Sequence, residues 1–259
     1  MVSRKNISKR REVEQLVLPN LFTLVPFQCS MNPHYETAGP ESAARIDNFD
    51  FFQGHVRDIF IRSDFELLIA LTYPTASYDD YKTLCDHMNA FFVFDNITDE
   101  QDKDGALVTA DTYLMALKGE DCAQSNTPLY KYVSEYVMIA FLHQTSLIPC
   151  LRFSAQIRAK NLPNFQRRFV QHHADYVNSV VREAECRTGK IQMDFDEFVA
   201  FRRLTSGARC VYVVMEFALG IDLPDEVFDN EAFQRMHSAA EDLIGLSNVR
   251  IFPEVTSKG

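Results

Sequence analysis

The 259-residue sequence contains no tryptophan and only nine glycines, and it has neither a glycine-rich nucleotide-binding turn nor a G-x-S-x-G motif. Its six cysteines include no C-x-x-C pair, so neither a zinc cluster nor a redox pair is indicated. We interpret them as reduced thiols of an intracellular, cytoplasmic protein. No apolar run approaches the length of a membrane span, so no such span is expected.

Basic charge is also scarce. The chain has 26 lysines and arginines against 36 acidic residues, which gives a formal net charge of −10. This balance argues against nucleic acid or an anionic membrane surface as the main partner. An anionic small molecule would therefore need local arginines or a metal ion to receive it. The opening residues, Met1–Glu14, are polar and basic without an apolar core, which excludes a secretory signal.

Apolar residues make up 46% of the chain, with 21 phenylalanines and ten tyrosines, which is enough for a large aromatic core. From about Ser42 onward the apolar spacing is helical and no alternating strand pattern occurs, so we predict an all-α protein. We expect a flexible basic tail at 1–15, a helical domain at 16–248 and an aberrant tail at 249–259. The predicted helices are 41–53, 55–71, 78–100, 105–118, 128–147, 151–160, 163–188, 194–219 and 229–247.

Asp95 and Asp99 lie one helical turn apart at the end of an apolar stripe. The stripe has the spacing of an amphipathic helix and consists of Tyr81, Leu84, Cys85, Met88, Phe91 and Phe92. The same face continues to both aspartates, so we predict that they point toward the interior. Two buried carboxylates need a cation, and a divalent metal such as Mg²⁺ is the simplest. The alternative is an acidic helix end that runs into a solvated turn.

A second polar segment runs from Arg202 to Gly207. Arg202 falls on the apolar stripe of its helix, so its guanidinium is expected to point inward beside Thr205 and Ser206, where it could bind a phosphate bidentately. Glycine within a helix costs about 1 kcal/mol relative to alanine. Gly207 therefore predicts a helix break whose backbone groups face a ligand.

The polar residues of the later helices also have purely structural interpretations, in which they bind no ligand. Arg202 could instead form an internal ion pair with a carboxylate such as Asp175 or Glu216. His172 and His173 have no metal-ligand spacing to a second pair, so we expect them at the surface or at the edge of the core.

Five segments in a fixed order carry a family resemblance: Leu18–Phe22, Asn32–Tyr35, Phe91–Glu100, Arg202–Gly207 and Leu223–Phe228. Together they resemble the class I terpene cyclases of fungi, of the sesquiterpene synthase kind. An aspartate-rich segment alone also occurs in chain-elongating prenyltransferases, whereas the whole ordered set is typical of the cyclases.

The resemblance implies a class I terpenoid synthase helical bundle that encloses an aromatic cavity. It implies a magnesium cluster bound by Asp95, Asp99 and Asn248. It implies that the diphosphate of farnesyl diphosphate is bound by Arg202, Thr205, Ser206 and Gly207. Metal and arginine would draw the diphosphate away, and the allylic cation would cyclise to a sesquiterpene.

The sequence departs from the family after Asn248. The second metal motif begins with Asn and continues with Ser four and Glu eight positions later, but this chain has Phe252 and Thr256 there, and Val249 replaces the usual acid. The family's further C-terminal helices are also missing, so we expect impaired or no catalysis. Arg45 stands where Trp is common.

We hypothesise that residues 249–259 derive from a retained intron, because the codons of Val249 and Arg250 can spell a splice donor. An uninterrupted exon through Gly259 would discard this idea. Two alternatives to a cyclase remain: a non-catalytic truncated isoform that acts as a helical binding protein and binds a partner, such as a full-length copy or a further copy of itself, through an uncovered face, and a prenyltransferase that lengthens isoprenoids. The latter should carry a second aspartate-rich motif, and none follows residue 200.

Overall fold

The computed structural model describes residues 28–141 and 162–251, with the backbone alone described for 136–141 and 248–251. The chain divides into two compact units, residues 1–30 and Met31–Gly259, and every element below belongs to the second. Within the described residues there are eleven α-helices: α1 Tyr35–Asp47, α2 Gly54–Arg62, α3 Phe65–Thr72, α4 Tyr78–Asp99, α5 Lys103–Lys118, α6 Pro128–Phe141, α7 Pro163–Gly189, α8 Phe195–Thr205, α9 Ala208–Leu219, α10 Asp225–Asp229 and α11 Glu231–Ile251. No strand occurs in these ranges, which confirms the all-α prediction.

The first two predicted helices are wrong in their bounds. The helix predicted at 41–53 begins at Tyr35 and accommodates Pro40, because its buried face holds it on the core. The helix predicted over 55–71 is two helices. Asp64 adopts a left-handed conformation (φ 49°), which separates α2 from α3. Its carboxylate accepts a hydrogen bond from the Leu67 N–H and so caps the N-terminus of α3.

Other bounds follow the sequence more closely. The predicted helices at 78–100, 105–118 and 163–188 are confirmed within two residues. The helix predicted at 151–160 lies outside the described residues, as does the end of the one predicted at 128–147. The last helix continues to Ile251, past the point at which its pattern was expected to stop. Of the described helices, none is both long and apolar enough to cross a lipid bilayer.

Helix α4 runs through the centre of the fold. Its apolar residues Leu84, Met88 and Phe94 are buried, as predicted, but so are the polar side chains of Asp86 and Asn89. The prediction of an amphipathic helix with one solvated face is therefore wrong over most of its length. Helices α1, α3, α6 and α9 pack against it, and α1 and α3 supply side-chain partners for these polar groups.

The buried polar groups of α4 are satisfied by a small network. Asp86 accepts hydrogen bonds from Ser42 Oγ at 2.6 Å and from Arg45 Nη1 at 3.0 Å. Asn89 Nδ2 donates to Glu66 Oε1 at 2.7 Å. Burial raises the pKa of Asp86, while the positive charge of Arg45 opposes that rise. This network shows how charged residues are accommodated in the centre of the bundle.

Helix α11 packs against α8 and α9 through charged contacts. Arg203 Nε lies 2.6 Å from Asp242 Oδ1, and Arg209 Nε lies 2.6 Å from the fully buried carboxylate of Glu241. Met236 and Leu243, seven residues apart on one face of the helix, remain 62% and 57% exposed, and Leu246 is 38% exposed. The apolar face predicted for this helix is thus only partly covered.

Candidate active site

The two aspartates at the end of α4 have different environments. Asp95 is half-buried, and its Oδ1 accepts a hydrogen bond from the Tyr176 hydroxyl at 2.7 Å. Asp99 leaves 62% of its side chain exposed, with Oδ1 at 3.8 Å from Arg187 Nη1. The structure therefore supports an inward-facing carboxylate at Asp95. The prediction is wrong for Asp99, because α4 ends there and the side of its last turn that carries Asn96 and Asp99 is exposed.

The electrostatics of the pair favour a cation. Burial raises the pKa of Asp95, while the hydrogen bond from Tyr176 and the charge of Arg202 oppose the rise. Partial desolvation, followed by the negative charge of Asp95, raises the pKa of Asp99 to about 6 although most of its side chain is exposed. A positive charge between the carboxylates would relieve both penalties.

The donor set fits a hard divalent ion that also takes oxygens from elsewhere. Among the described residues, no cluster of three or more histidine, cysteine or acidic side chains could hold a metal by itself. Mg²⁺ commonly binds one or two carboxylates and completes its shell with phosphate oxygens and water. Asp95 and Asp99 meet that requirement and would not suit a metal that needs a full protein cage.

Arg202 on α8 faces the acidic end of α4, and its guanidinium makes two hydrogen bonds longer than 3 Å. Its Nε donates to the Gly245 carbonyl at 3.3 Å and its Nη1 to Thr205 Oγ1 at 3.2 Å. Within the described ranges no carboxylate forms an ion pair with it. The alternative of an ion pair to Glu216 is not what the structure shows, since Glu216 Oε2 lies 2.6 Å from Arg168 Nη2. Asp175 instead accepts a hydrogen bond from Gln171.

The predicted helix break is confirmed between α8 and α9. Gly207 has φ +67°, a left-handed conformation that suits glycine. A Cβ atom added there would lie 2.1 Å from Cζ of Phe91, so the glycine also makes room for that ring. Thr205 is buried beside Arg202, and Ser206 Oγ accepts a hydrogen bond from the Ala208 N–H at 3.3 Å. The polar segment and the end of α4 therefore meet.

Three residues of α7 complete the cluster and were missed from the sequence. Tyr176, Glu183 and Arg187 are seven and four positions apart, which places them on one helical face. Burial raises the pKa of Glu183, the charges of Arg187 and Arg202 oppose it, and those of the aspartates add to it. Arg187 Nη2 also donates to the Thr98 carbonyl at 3.1 Å. Their shared face is the signal that could have identified them.

The remaining sequence-predicted residues lie elsewhere or are undescribed. The side chain of Asn248 lies outside the described part of the structure, and its backbone belongs to α11. The surface or core-edge position expected for the histidine pair is wrong for His173, which is fully buried. Its Nδ1–H donates to the Phe169 carbonyl at 2.7 Å, and its ring lies 5.1 Å from that of His87.

Known proteins match this chain over the segments that form the site. Residues 86–248 match the family model described as terpene synthase family 2, C-terminal metal binding. The chain is 30% identical over 92% of its length to the protein named linoleate 10R-lipoxygenase COP4 of Coprinopsis cinerea, covering 64% of that protein. It is 32% identical over 90% of its length to sesquiterpene synthase 9 of Postia placenta, covering 63% of it. The chain thus spans a little under two-thirds of these relatives.

A solved structure supports the same fold. The crystal structure of α-eudesmol synthase superposes with a TM-score of 0.70 at 21% identity, covering 89% of this chain and 72% of that one. At that identity the likeness establishes the class I terpene synthase helical fold alone. The family model, in contrast, spans the acidic end of α4, the α7 face and the α8–α9 break together. The chain therefore belongs to the terpene synthase family.

Proposed function

We propose that this protein is a member of the magnesium-dependent terpene cyclases that act on farnesyl diphosphate, and that its own catalysis is impaired. The observation that carries the proposal is the convergence of Asp95, Asp99 and Glu183 with Arg187 and Arg202 at one end of the bundle. Carboxylates there would hold the metal, and the arginines would meet the diphosphate. Negative side chains for the metal cations and positive side chains for the anionic substrate thus lie side by side.

Arg202 is suited to receive the diphosphate. Its present hydrogen bonds, at 3.2 and 3.3 Å, go to a hydroxyl and a carbonyl, so its charge has no anionic partner among the described residues. A planar guanidinium can donate two parallel hydrogen bonds to phosphate oxygens. Mg²⁺, when bound by Asp95 and Asp99, would supply charge neutralisation for the departing diphosphate.

Aromatic rings line the inner side of the same cluster. Phe91 stacks on Tyr176 with 4.4 Å between ring centroids, and Phe94 meets Tyr176 edge-on at 5.9 Å. Phe91 and Phe94 are buried in this packing, so they form an apolar wall behind the cluster that presents no nucleophilic atom to a carbocation formed beside it. The choice of farnesyl diphosphate as substrate is supported by relatives such as the Postia sesquiterpene synthase.

Activity is tested by comparing this chain with a version extended after Asn248 by the corresponding C-terminal residues of the Postia relative. Both are incubated with farnesyl diphosphate and Mg²⁺, and volatile products are analysed by gas chromatography with mass spectrometry. We expect a cyclic sesquiterpene from the extended version. We expect little or none from this chain, since Phe252 and Thr256 replace two ligands of the second metal motif.

The matched control is Asp95→Asn in the extended version, which keeps the size of the side chain and removes its charge. It should abolish product while circular dichroism remains unchanged. A folded extended version that forms no product from farnesyl or geranyl diphosphate would contradict the proposal. Normal turnover by the present chain would contradict the expected impairment.

A non-enzymatic binding role is a second candidate, and the apolar stripe on α11 supports it. Met236 and Leu243, seven residues apart on one helix face, are 62% and 57% exposed, and exposed apolar side chains that share a face can contact a partner. Light scattering tests this role, since assembly of the chain with itself or a co-purifying partner would favour it. A monodisperse monomer would count against it.

A further inference from the structure

The hydroxyl of Tyr176 is held in one place. The residue is almost completely buried on α7, its ring stacks on Phe91 with an interplanar angle of 27°, and Phe94 closes the ring edge-on. Tyr176 has two side-chain torsions, and packing on both sides of the ring restricts them. The phenol therefore cannot leave Asp95 without disrupting a core stack.

Phe91 is also confined at the tip of its ring by the helix break. The position of a Cβ on Gly207 would fall 2.1 Å from Phe91 Cζ, and 3.0 Å from both Cε atoms. The ring thus fills the space that a side chain at 207 would occupy. A continuous line of contacts runs from Gly207 through Phe91 and Tyr176 to Asp95.

Asp95 is left with one engaged oxygen and one available oxygen. Oδ1 accepts the Tyr176 hydrogen bond at 2.7 Å. In the described part of the chain, Oδ2 has neither a hydrogen bond nor an ion pair. Because one oxygen is fixed by a rigid donor, the direction of the other is fixed as well. Groups that orient a metal ligand in this way usually affect metal affinity about 10- to 100-fold.

We propose that Tyr176 is a positioning residue that orients Asp95 for metal binding. This inference rests on the proposed function, since it assumes that Asp95 binds the metal. A purely structural bond between α7 and α4 is the competing explanation. The two differ in outcome: a structural bond contributes to stability alone, whereas a positioning bond also sets the affinity for the metal.

The test measures Mn²⁺ binding by electron paramagnetic resonance in the metal-free protein, because Mn²⁺ shares the oxygen ligands of Mg²⁺. Tyr176→Phe removes the hydroxyl and keeps the ring. We expect its Mn²⁺ dissociation constant to rise about tenfold, while its affinity for inorganic pyrophosphate without metal stays unchanged. Tyr212→Phe is the matched control, because that hydroxyl donates to the Ala240 carbonyl at 3.0 Å and should leave Mn²⁺ binding unchanged.

Phe91→Leu provides a second variant, since it retains the Tyr176 hydroxyl and removes the ring that supports it. It should raise the Mn²⁺ dissociation constant about threefold, in keeping with the energy of one aromatic pair. Wild-type affinity in a folded Tyr176→Phe protein would overturn the proposal, as would equal weakening by Tyr212→Phe.

Asp95→Asn separates this inference from the proposed function. If Asp95→Asn abolishes Mn²⁺ binding and Tyr176→Phe does not change it, Asp95 binds the metal and the positioning role alone is refuted. If the wild-type protein binds no Mn²⁺, or binds it equally well with Asn at position 95, the metal site itself is refuted and this inference falls with it.

Discussion

Gly207→Ala is the substitution whose cost the structure specifies most fully. Two penalties add at this position. An alanine at φ +67° costs roughly 1–2 kcal/mol. Its Cβ would also overlap Phe91 Cζ at 2.1 Å, so the stacked Phe91 and Tyr176 rings must shift, and overpacking of a core costs about 1–3 kcal/mol. Alanine reduces the entropy of the unfolded chain and returns about 0.4–1 kcal/mol.

The net expectation is a loss of about 2–4 kcal/mol, a large part of the typical stability of about 5–15 kcal/mol. Urea unfolding followed by circular dichroism measures it. Gly220→Ala is the matched control, because Gly220 has nearly the same φ, +66°, and an added Cβ there meets nothing within 4 Å. It reports the backbone penalty alone, at about 1 kcal/mol.

The double variant Gly207→Ala with Phe91→Ala isolates the steric part. Removal of the ring should make Gly207→Ala as mild as Gly220→Ala, which is a coupling of about 1–3 kcal/mol. Equal losses for the two glycine variants, or additive effects of the Gly207 and Phe91 variants, would refute the reasoning that Phe91 occupies the space at the helix break.

Three further predictions follow from the buried charged and titratable groups. Arg45→Met leaves the buried Asp86 carboxylate without its cation and should cost about 3 kcal/mol in urea unfolding, and Asp86→Asn in the same background should recover part of it. Burial lowers the pKa of His87 from 6.5 to about 4, so the unfolded chain takes up its proton first, and the stability present above pH 6.5 falls by about 3 kcal/mol as the pH drops to 4. His87→Leu should remove that share of the pH dependence of thermal stability, while His172 and His173, whose pKa values burial also lowers, keep theirs. An unchanged slope would contradict this. Burial acts to raise the pKa of Glu241, but hydrogen bonds from His237 and Arg209 lower it to about 2. Its contribution to the free energy of unfolding is therefore present above pH 4.5 and is lost as the pH falls from 4.5 toward 2. Glu241→Gln should remove this part of the loss of stability in acid, and an equal loss in the variant would show that other groups cause it.

Local sequence signals predicted the parts of the fold that are decided locally. Gly207 breaks its helix as expected, because glycine adopts the left-handed backbone conformation without a steric penalty and so marks the break in the sequence. The long run of α4 was equally local, and the structure begins it at Ser77, whose side chain accepts a hydrogen bond from the Asp80 N–H. In contrast, the break at Asp64 was missed, since few aspartates adopt φ 49° and no pattern in the sequence marks the one that does.

The site was predicted only in part, because its second half depends on which helices are neighbours. Asp95 and Arg202 stood out through helical spacing. Tyr176 and Glu183 did not, because their contacts with the aspartates exist only once α7 packs beside the end of α4. Exposure of Asp99 was also missed, since periodicity extends a face but does not show where the surrounding helices end.

The central claim is that the acidic end of α4 and Arg202 together bind a metal-bridged diphosphate. Isothermal titration of inorganic pyrophosphate into this protein, with and without Mg²⁺, tests it most directly. The account predicts that Mg²⁺ tightens pyrophosphate binding at least about tenfold, an effect of about 1.4 kcal/mol, and that Asp95→Asn removes the gain. Pyrophosphate binding that is the same with and without Mg²⁺ would contradict it.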